Sequence, residues 1–231
     1  MPILECRDLS KRFGTVQALD TVSLKIEPGR VIGLLGPNGS GKTTLIKLAN
    51  GLLTPTGGEI LIGGKAPGVE SKAAVSYLPD KEYLPDWMNA RQLMDLFQDF
   101  YADFDWARAR EMLKRLGVSE DVRVKQMSKG TREKVQLILV MSRQARLYLL
   151  DEPIGGVDPA TRDYILETIL RNYNPEAAVI ISTHLIADVE PILDDVIFIQ
   201  NGRVVLQSSV DVIREERGMS VDQYFREVFK C

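Results

Sequence analysis

The chain has 231 residues, of which 45% are hydrophobic, 26% charged and 7% aromatic. This balance excludes a disordered chain and leaves room for one large domain or a domain with a sizeable insertion. Lys and Arg total 29 against 32 for Asp and Glu, so the net charge of -3 supplies no global field for nucleic acid or anionic lipid, and no nucleic-acid partner is expected. Cys6 and Cys231 match no metal-ligand or redox spacing and read as free thiols in a reducing compartment. The N-terminal MPILECRDLSKRF lacks the apolar core of a signal peptide, and no run reaches the ~18 apolar residues of a membrane span, so a cytoplasmic location is expected.

From Leu4 to Arg30, short alternating segments closed by Glu27-Pro28-Gly29 predict a small antiparallel sheet. The continuous apolar run VIGLL, from Val31 to Leu35, predicts a strand buried on both faces. The loop GPNGSGK follows it, and TTLIKLAN then predicts a short helix stopping at Gly51. TPTGGEILIGG reads as a loop and an edge strand. Between Pro85 and Gly117 apolar residues at helical spacing, with both tryptophans, predict an inserted helical subdomain. A further helix is predicted from Arg132 to Arg146, with Val135, Ile138, Leu139 and Ser142 along one face. LYLL and VIIS are two more buried strands. Between them DPATRDYILETILRNY is an amphipathic helix with Asp158 placed to cap it, and strand, helix, strand implies a parallel sheet. Asn201-Gly202 between apolar runs predicts a hairpin. No internal repeat or low-complexity linker interrupts the chain.

Gly36-Pro37-Asn38-Gly39-Ser40-Gly41-Lys42-Thr43 satisfies G-x-x-x-x-G-K-[ST], after a buried strand and before a helix. Glycines let successive backbone N–H groups converge on phosphate oxygens, the helix start at Gly41 adds positive dipole, Lys42 reaches the β and γ phosphates, and Thr43 is the expected Mg²⁺ ligand. The competing reading is a glycine-rich turn that binds nothing. Asp151 and Glu152 stand at the carboxyl end of LYLLD, where ligands of open α/β sheets bind. Asp151 suits Mg²⁺ held through water, and Glu152 suits a general base for the attacking water; as helix-capping acids they would need no ligand. His184, the only histidine, ends Ser182-Thr183-His184 and faces the same crevice, where its imidazole can reach a γ-phosphate. A surface or satisfied core histidine is the alternative.

The order GPNGSGKTT, MSKGTREKVQL, LYLLDEP, GGVDP, STH resembles the ATP-binding cassette family, over essentially the whole chain from KRFGTVQALDTVSLKIEPG to FIQNGRVV. Within it, YLPD, SKG and the short C-terminal tail look most like single-cassette ATPase subunits of multidrug or antibiotic exporters. The resemblance implies a single α/β domain over 1–231. Its phosphate-loop NTPase (RecA-like) parallel sheet core would carry an antiparallel β subdomain at 1–30 and 57–78 and an inserted helical subdomain at 81–132 that holds the signature motif. It implies ATP and Mg²⁺, with Phe13 stacking on adenine beside Val16, and Gly36, Asn38, Gly39, Ser40, Gly41, Lys42, Thr43 and Thr44 around the phosphates. A core phenylalanine is the alternative for Phe13.

Two departures stand out. Asp80 replaces the usual glutamine that contacts Mg²⁺ and the attacking water; a plain turn residue after Pro79 is its other reading. Met127-Ser128-Lys129-Gly130-Thr131 replaces LSGGQ. It retains Ser128 and Gly130, which in the family reach the nucleotide of the opposite subunit, as Asp158 contacts that subunit. The basic cluster of Lys129, Arg123, Lys125, Arg132 and Lys134 is either a solvated helix face or an aid to ATP capture. The resemblance implies a head-to-tail homodimer, or a heterodimer with a related ATPase, powering a separately encoded membrane permease from the inner face of the membrane. It would meet that permease around Trp87 to Leu116 and Asp80. A nucleotide-gated interaction protein with weak hydrolysis is the second reading, and an ATPase of DNA repair or translation a weaker third.

Overall fold

Alternation at period two divides every buried strand between two cores. In strand β3 (Val31–Leu35) Val31 and Leu35 face one core, while Ile32 and Leu34 face the other. Strand β6 (Leu147–Asp151) splits in the same way, with Tyr148 and Leu150 on one side and Leu147 and Leu149 on the other. A sheet apolar on both faces must be covered on both, and this one is. The computed structural model describes residues 1–155 and 157–229. Gly156 of GGVDP and Cys231 lie outside the described residues.

The central sheet has six strands in the order β5-β6-β7-β3-β8-β9, with β5 (Val75–Leu78), β7 (Ala178–Thr183), β8 (Asp195–Gln200) and β9 (Arg203–Ser209) joining β3 and β6. All neighbours pair in parallel except β8 with β9, the hairpin that Asn201-Gly202 turns. A second sheet of three antiparallel strands, in the order β2-β1-β4, comprises β1 (Leu4–Phe13), β2 (Val16–Ile26) and β4 (Gly57–Ile62). Its inner residues Leu4, Leu19, Leu24 and Ile60 share a core with Leu45, Ile46 and Leu48 of helix α1 (Lys42–Ala49).

The sequence-based antiparallel boundary of 57–78 is corrected at its end. After the short helix α2 (Val69–Ala74), strand β5 leaves the antiparallel sheet and pairs in parallel with β6, Val75 opposite Leu147 and Leu78 opposite Leu150. The side chain of Arg143 holds it there. Buried at 2% exposure, the guanidinium donates to the carbonyls of Val75 and Ala73 and grips both oxygens of Asp103, at 3.0 and 3.1 Å, while its Cζ lies 3.8 Å from the Tyr101 ring centre.

Asp103 and Tyr101 belong to the helical insertion, built from α3 (Ala90–Phe100) and α4 (Trp106–Arg115). Each helix begins at a side-chain cap: Asn89 accepts from Gln92 N, and Asp105 accepts from Arg108 N. Leu93, Met94, Met112 and Leu113 pack into the same core as the helix-covered face of the central sheet. Helix α5 (Lys129–Met141) runs unbroken from the signature motif into that core, so the predicted border at 132 falls inside a continuous helix. Its N-cap is Ser128, which starts the helix three residues before the sequence-based estimate at Arg132. Helix α6 (Pro159–Asn172) follows β6; α7 (Ile186–Val189), α8 (Val210–Arg217) and α9 (Val221–Phe229) complete the fold.

Candidate nucleotide site

At the carboxyl ends of β3, β6 and β7 lies a cleft of about 500 Å³ lined by Val16, Gln17, Ala18, Asn38, Gly39, Ser40, Gly41, Lys42, Thr43, Thr44, Asp80, Glu152, Gly155 and His184. The phosphate loop that floors it depends on two close approaches. A Cβ on Gly36 would stand 2.3 Å from the Ile199 carbonyl oxygen, and one on Gly41, at φ +113°, would stand 2.6 Å from that of Ala18. Only glycine fits at either position. Gly41 offers α1 no side-chain cap, so the first-turn N–H groups are left for a ligand, the arrangement that favours an anion.

Lys42 Nζ donates to the Gly36 carbonyl at 2.8 Å and to that of Pro37 at 3.2 Å, which folds the cation over the loop. Burial lowers its pKa from the ordinary lysine value, against the pull of the Glu152 and Asp151 charges. Thr43 donates its hydroxyl to Asp151 Oδ1 at 3.2 Å. Burial raises the Asp151 pKa above the ordinary aspartate value; the Thr43 and Ser182 hydroxyls lower it, and the charges of Asp80 and Glu152 raise it again. Asp151 Oδ2 is buried and, among the described residues, has no hydrogen-bond partner; the nearby Ser182 hydroxyl is likewise buried without a well-formed bond. A buried acceptor of this kind is costly unless a cation or donor completes it.

Glu152 adopts φ +52°, an uncommon conformation for a residue other than glycine. The turn is held by its own N–H, which donates to Ser182 O at 2.8 Å, and by Gly155 N, which donates to Glu152 O at 3.0 Å. The carboxylate then meets the end of β7. Thr183 donates its hydroxyl to Oε2 at 3.1 Å, and His184 Nδ1 lies 3.1 Å from both oxygens. An ionised carboxylate only accepts, so Nδ1 carries the proton and Nε2 is the nitrogen left for a ligand.

Most of the residues singled out in the sequence therefore converge: Val16, Asn38 to Thr44, Asp80, Glu152 and His184 line the cleft, with Gly36 and Asp151 directly behind it. Four others are not among its lining residues. Phe13 is 45% exposed, which excludes the core-phenylalanine reading, and Lys11 Nζ stands 5.0 Å from its ring centre. Ser128 caps α5, accepting from Thr131 N at 3.2 Å, and Gly130 has open space where a Cβ would go. Asp158 caps α6, accepting from Thr161 N and from the Thr161 hydroxyl, which lowers its pKa.

Sequence reasoning missed the wall formed by Gln17 and Ala18, and it found the Asn201-Gly202 hairpin without its role. Gly202 N donates to Ser40 O at 2.9 Å, and Gly202 O accepts from Asp20 N at 2.9 Å, so the hairpin tip braces both the phosphate loop and β2. The N-G signal marks a turn but not what the turn touches.

A phosphate loop opening the first helix after a central parallel strand, with an acidic pair at the end of the strand next but one in the sheet, defines a phosphate-loop nucleotide-binding fold. Comparison with known proteins narrows the class. The family model described as "ABC transporter" matches residues 19–155. The chain is similar to the ABC transporter ATP-binding protein YtrB of Bacillus subtilis, at 32% identity over 93% of this chain and 74% of that protein. It is similar also to the daunorubicin resistance ATP-binding protein DrrA3 of Streptomyces coeruleorubidus, at 30% identity over 90% of this chain and 68% of that one. A solved ATP-binding subunit of an ABC transporter superposes with a TM-score of 0.88 at 28% identity, covering 98% of this chain and 99% of that one. The fold also matches an ATP-binding cassette solved as a post-hydrolysis dimer with ADP and Pi, with a TM-score of 0.78 at 22% identity, over 89% of this chain and 98% of that one. The chain belongs to the ABC transporter family and is an ATP-binding, ATP-hydrolysing subunit of that class.

Proposed function

We propose that two copies of this chain, or this chain and a related ATPase, close head to tail around two Mg-ATP and reopen after hydrolysis, driving a separate membrane permease in the direction of export. The observation that carries this reading is the division of the site. The cleft holds the phosphate loop, Asp80, Glu152 and His184, whereas Ser128 and Gly130 stand outside it on the exposed start of α5. Two half-sites on one chain are complementary when a second chain is turned end for end about a two-fold axis, an isologous pairing in which the cleft of each chain faces Ser128 and Gly130 of the other. Phe13 and Val16 supply an exposed apolar edge beside the cleft, suited to an adenine face. Asp158 would meet the opposite chain while capping α6.

The residues fit Mg²⁺. Asp151 Oδ2 lacks a partner, and the Thr43 hydroxyl lies against Asp151 Oδ1. Among the described residues no group of three or more His, Cys, Asp or Glu side chains could hold a metal ion, so phosphate oxygens and water would complete the shell, as is usual for Mg²⁺. Thr43, Asp151 and Asp80 are the residues that would hold it, and the bound cation neutralises charge on the β and γ phosphates. Lys42 exchanges its loop carbonyls for phosphate oxygens. Glu152 orients the attacking water and takes its proton, while His184 offers Nε2 to the γ-phosphate.

Among the described residues no helix is long and apolar enough to cross a membrane, so a pore would come from another chain. Trp87, 68% exposed, belongs to the helical insertion that family resemblance assigns to permease contact, and export is supported by the similarity to a drug-resistance ATPase. Purification from detergent extracts tests this reading: a multi-span membrane protein should accompany the chain, and its ATPase should persist in the complex. Accompanying nucleic acid, with no membrane protein, would point to a repair or translation ATPase instead.

A further inference from the structure

Glu152 is held by three consecutive residues of one strand end, each in a different way. Ser182 O fixes its backbone, Thr183 bonds Oε2, and His184 flanks both carboxylate oxygens. His184 stands half in solvent, its side chain 49% exposed. Thr183 is fully buried, at 0%. Its hydroxyl oxygen also lies 3.1 Å from Leu185 N. That N–H can only donate, so the hydroxyl accepts from it and has its single proton left for Glu152, which as an ionised carboxylate can only accept. No rotation of the hydroxyl serves both neighbours in another way. A buried, rotationally committed donor fixes a carboxylate more tightly than an exposed imidazole can.

We propose that Thr183 is a positioning residue for ATP hydrolysis. Its hydroxyl sets the rotation of the Glu152 carboxylate, so that the basic oxygen meets the attacking water without a search through other rotamers. Lys42 lines the same cleft as Glu152, so an unheld carboxylate has a cation to compete for it. Holding the carboxylate at the β7 end keeps base and phosphate-binding cation apart. The proposal rests on the reading of Glu152 as general base.

Thr183→Val keeps shape and removes the donor; Thr183→Ser keeps the donor. Steady-state ATPase of the purified chain should fall about tenfold in kcat for T183V, part of the ~10²–10⁴ that a general base contributes, while KM for ATP and directly measured ATP affinity stay within about twofold. T183S should recover most of the loss. Because T183V also strips Leu185 N–H of its acceptor, melting temperature is measured alongside, and T183A substitutes if the valine variant does not fold. A second measurement separates positioning from plain stability: in a Glu152→Gln background, T183V should change the residual rate by less than about twofold, since a residue acting through Glu152 has nothing left to orient. Equal kcat for wild type and T183V, or a loss of the same size in both backgrounds, overturns the proposal. If instead E152Q itself turns over like wild type, the general-base reading fails, a result distinguishable from failure of the Thr183 assignment alone.

Discussion

Asp80, Asp151 and Glu152 bring three carboxyl groups toward one cleft, and Lys42 answers them with a buried cation. Desolvation makes an ionised Asp151 costly. Its folded pKa is raised above the ordinary value of 3.8, so its contribution to stability is fully present below that value and is lost as pH rises through the folded pKa. Above that folded pKa the carboxylate is a net cost to the folded chain, one that a bound cation would offset. Asp151→Asn, which keeps an oxygen to accept from Thr43, should raise the melting temperature of the nucleotide-free chain at pH 7, with a gain that shrinks toward pH 4, and should abolish ATP turnover. A melting temperature equal to or below wild type at pH 7 would contradict this account. At this scale the phosphate loop and acidic pair were legible because their chemistry is written in consecutive residues. Thr183 was read only as part of STH: nothing in one sequence tells which hydroxyl a distant carboxylate will meet.

The hairpin between β8 and β9 has a structural duty that its turn signal conceals. Gly202, at φ +76°, bonds Ser40 O through its N–H, and a Cβ there would lie 2.8 Å from Ala18 O. Gly63 has φ +55° with open space around a Cβ and makes a matched control. Alanine at either position should lose about 1–2 kcal/mol of stability from the left-handed backbone alone. Only Gly202→Ala should also weaken ATP binding, several-fold in a direct titration, because only it displaces the phosphate loop; equal affinities in the two variants would sever the hairpin from the site. Long buried strands were legible as apolar runs, since a strand covered on both faces admits little else. The short VSYL of β5 was misassigned because its apolar run fits either sheet, and Arg143 decides the matter from far along the chain through Val75 O, Ala73 O and Asp103. The start of α5 was missed because Ser128 capping outweighs the polar texture of KGTREK.

Across the whole molecule, two cores back to back make the central sheet a rigid plate, and the site lies along one edge of it where β3, β6 and β7 end. Rigid placement suits chemistry that consists mainly of orientation and charge. Under the proposed pairing, the relation between the cleft and the Ser128–Gly130 segment lies between molecules, which one chain's sequence does not supply. The measurement that bears most directly on the account compares wild type with Glu152→Gln in Mg-ATP, following both phosphate release and mass by light scattering. Wild type should turn over and remain largely monomeric, whereas E152Q should lose turnover by roughly 10²-fold or more, still bind ATP, and accumulate at twice the monomer mass. Undiminished turnover would contradict the claim that Glu152 is the base, and an ATP-loaded E152Q that stays monomeric would contradict the claim that a second copy of this chain completes the site.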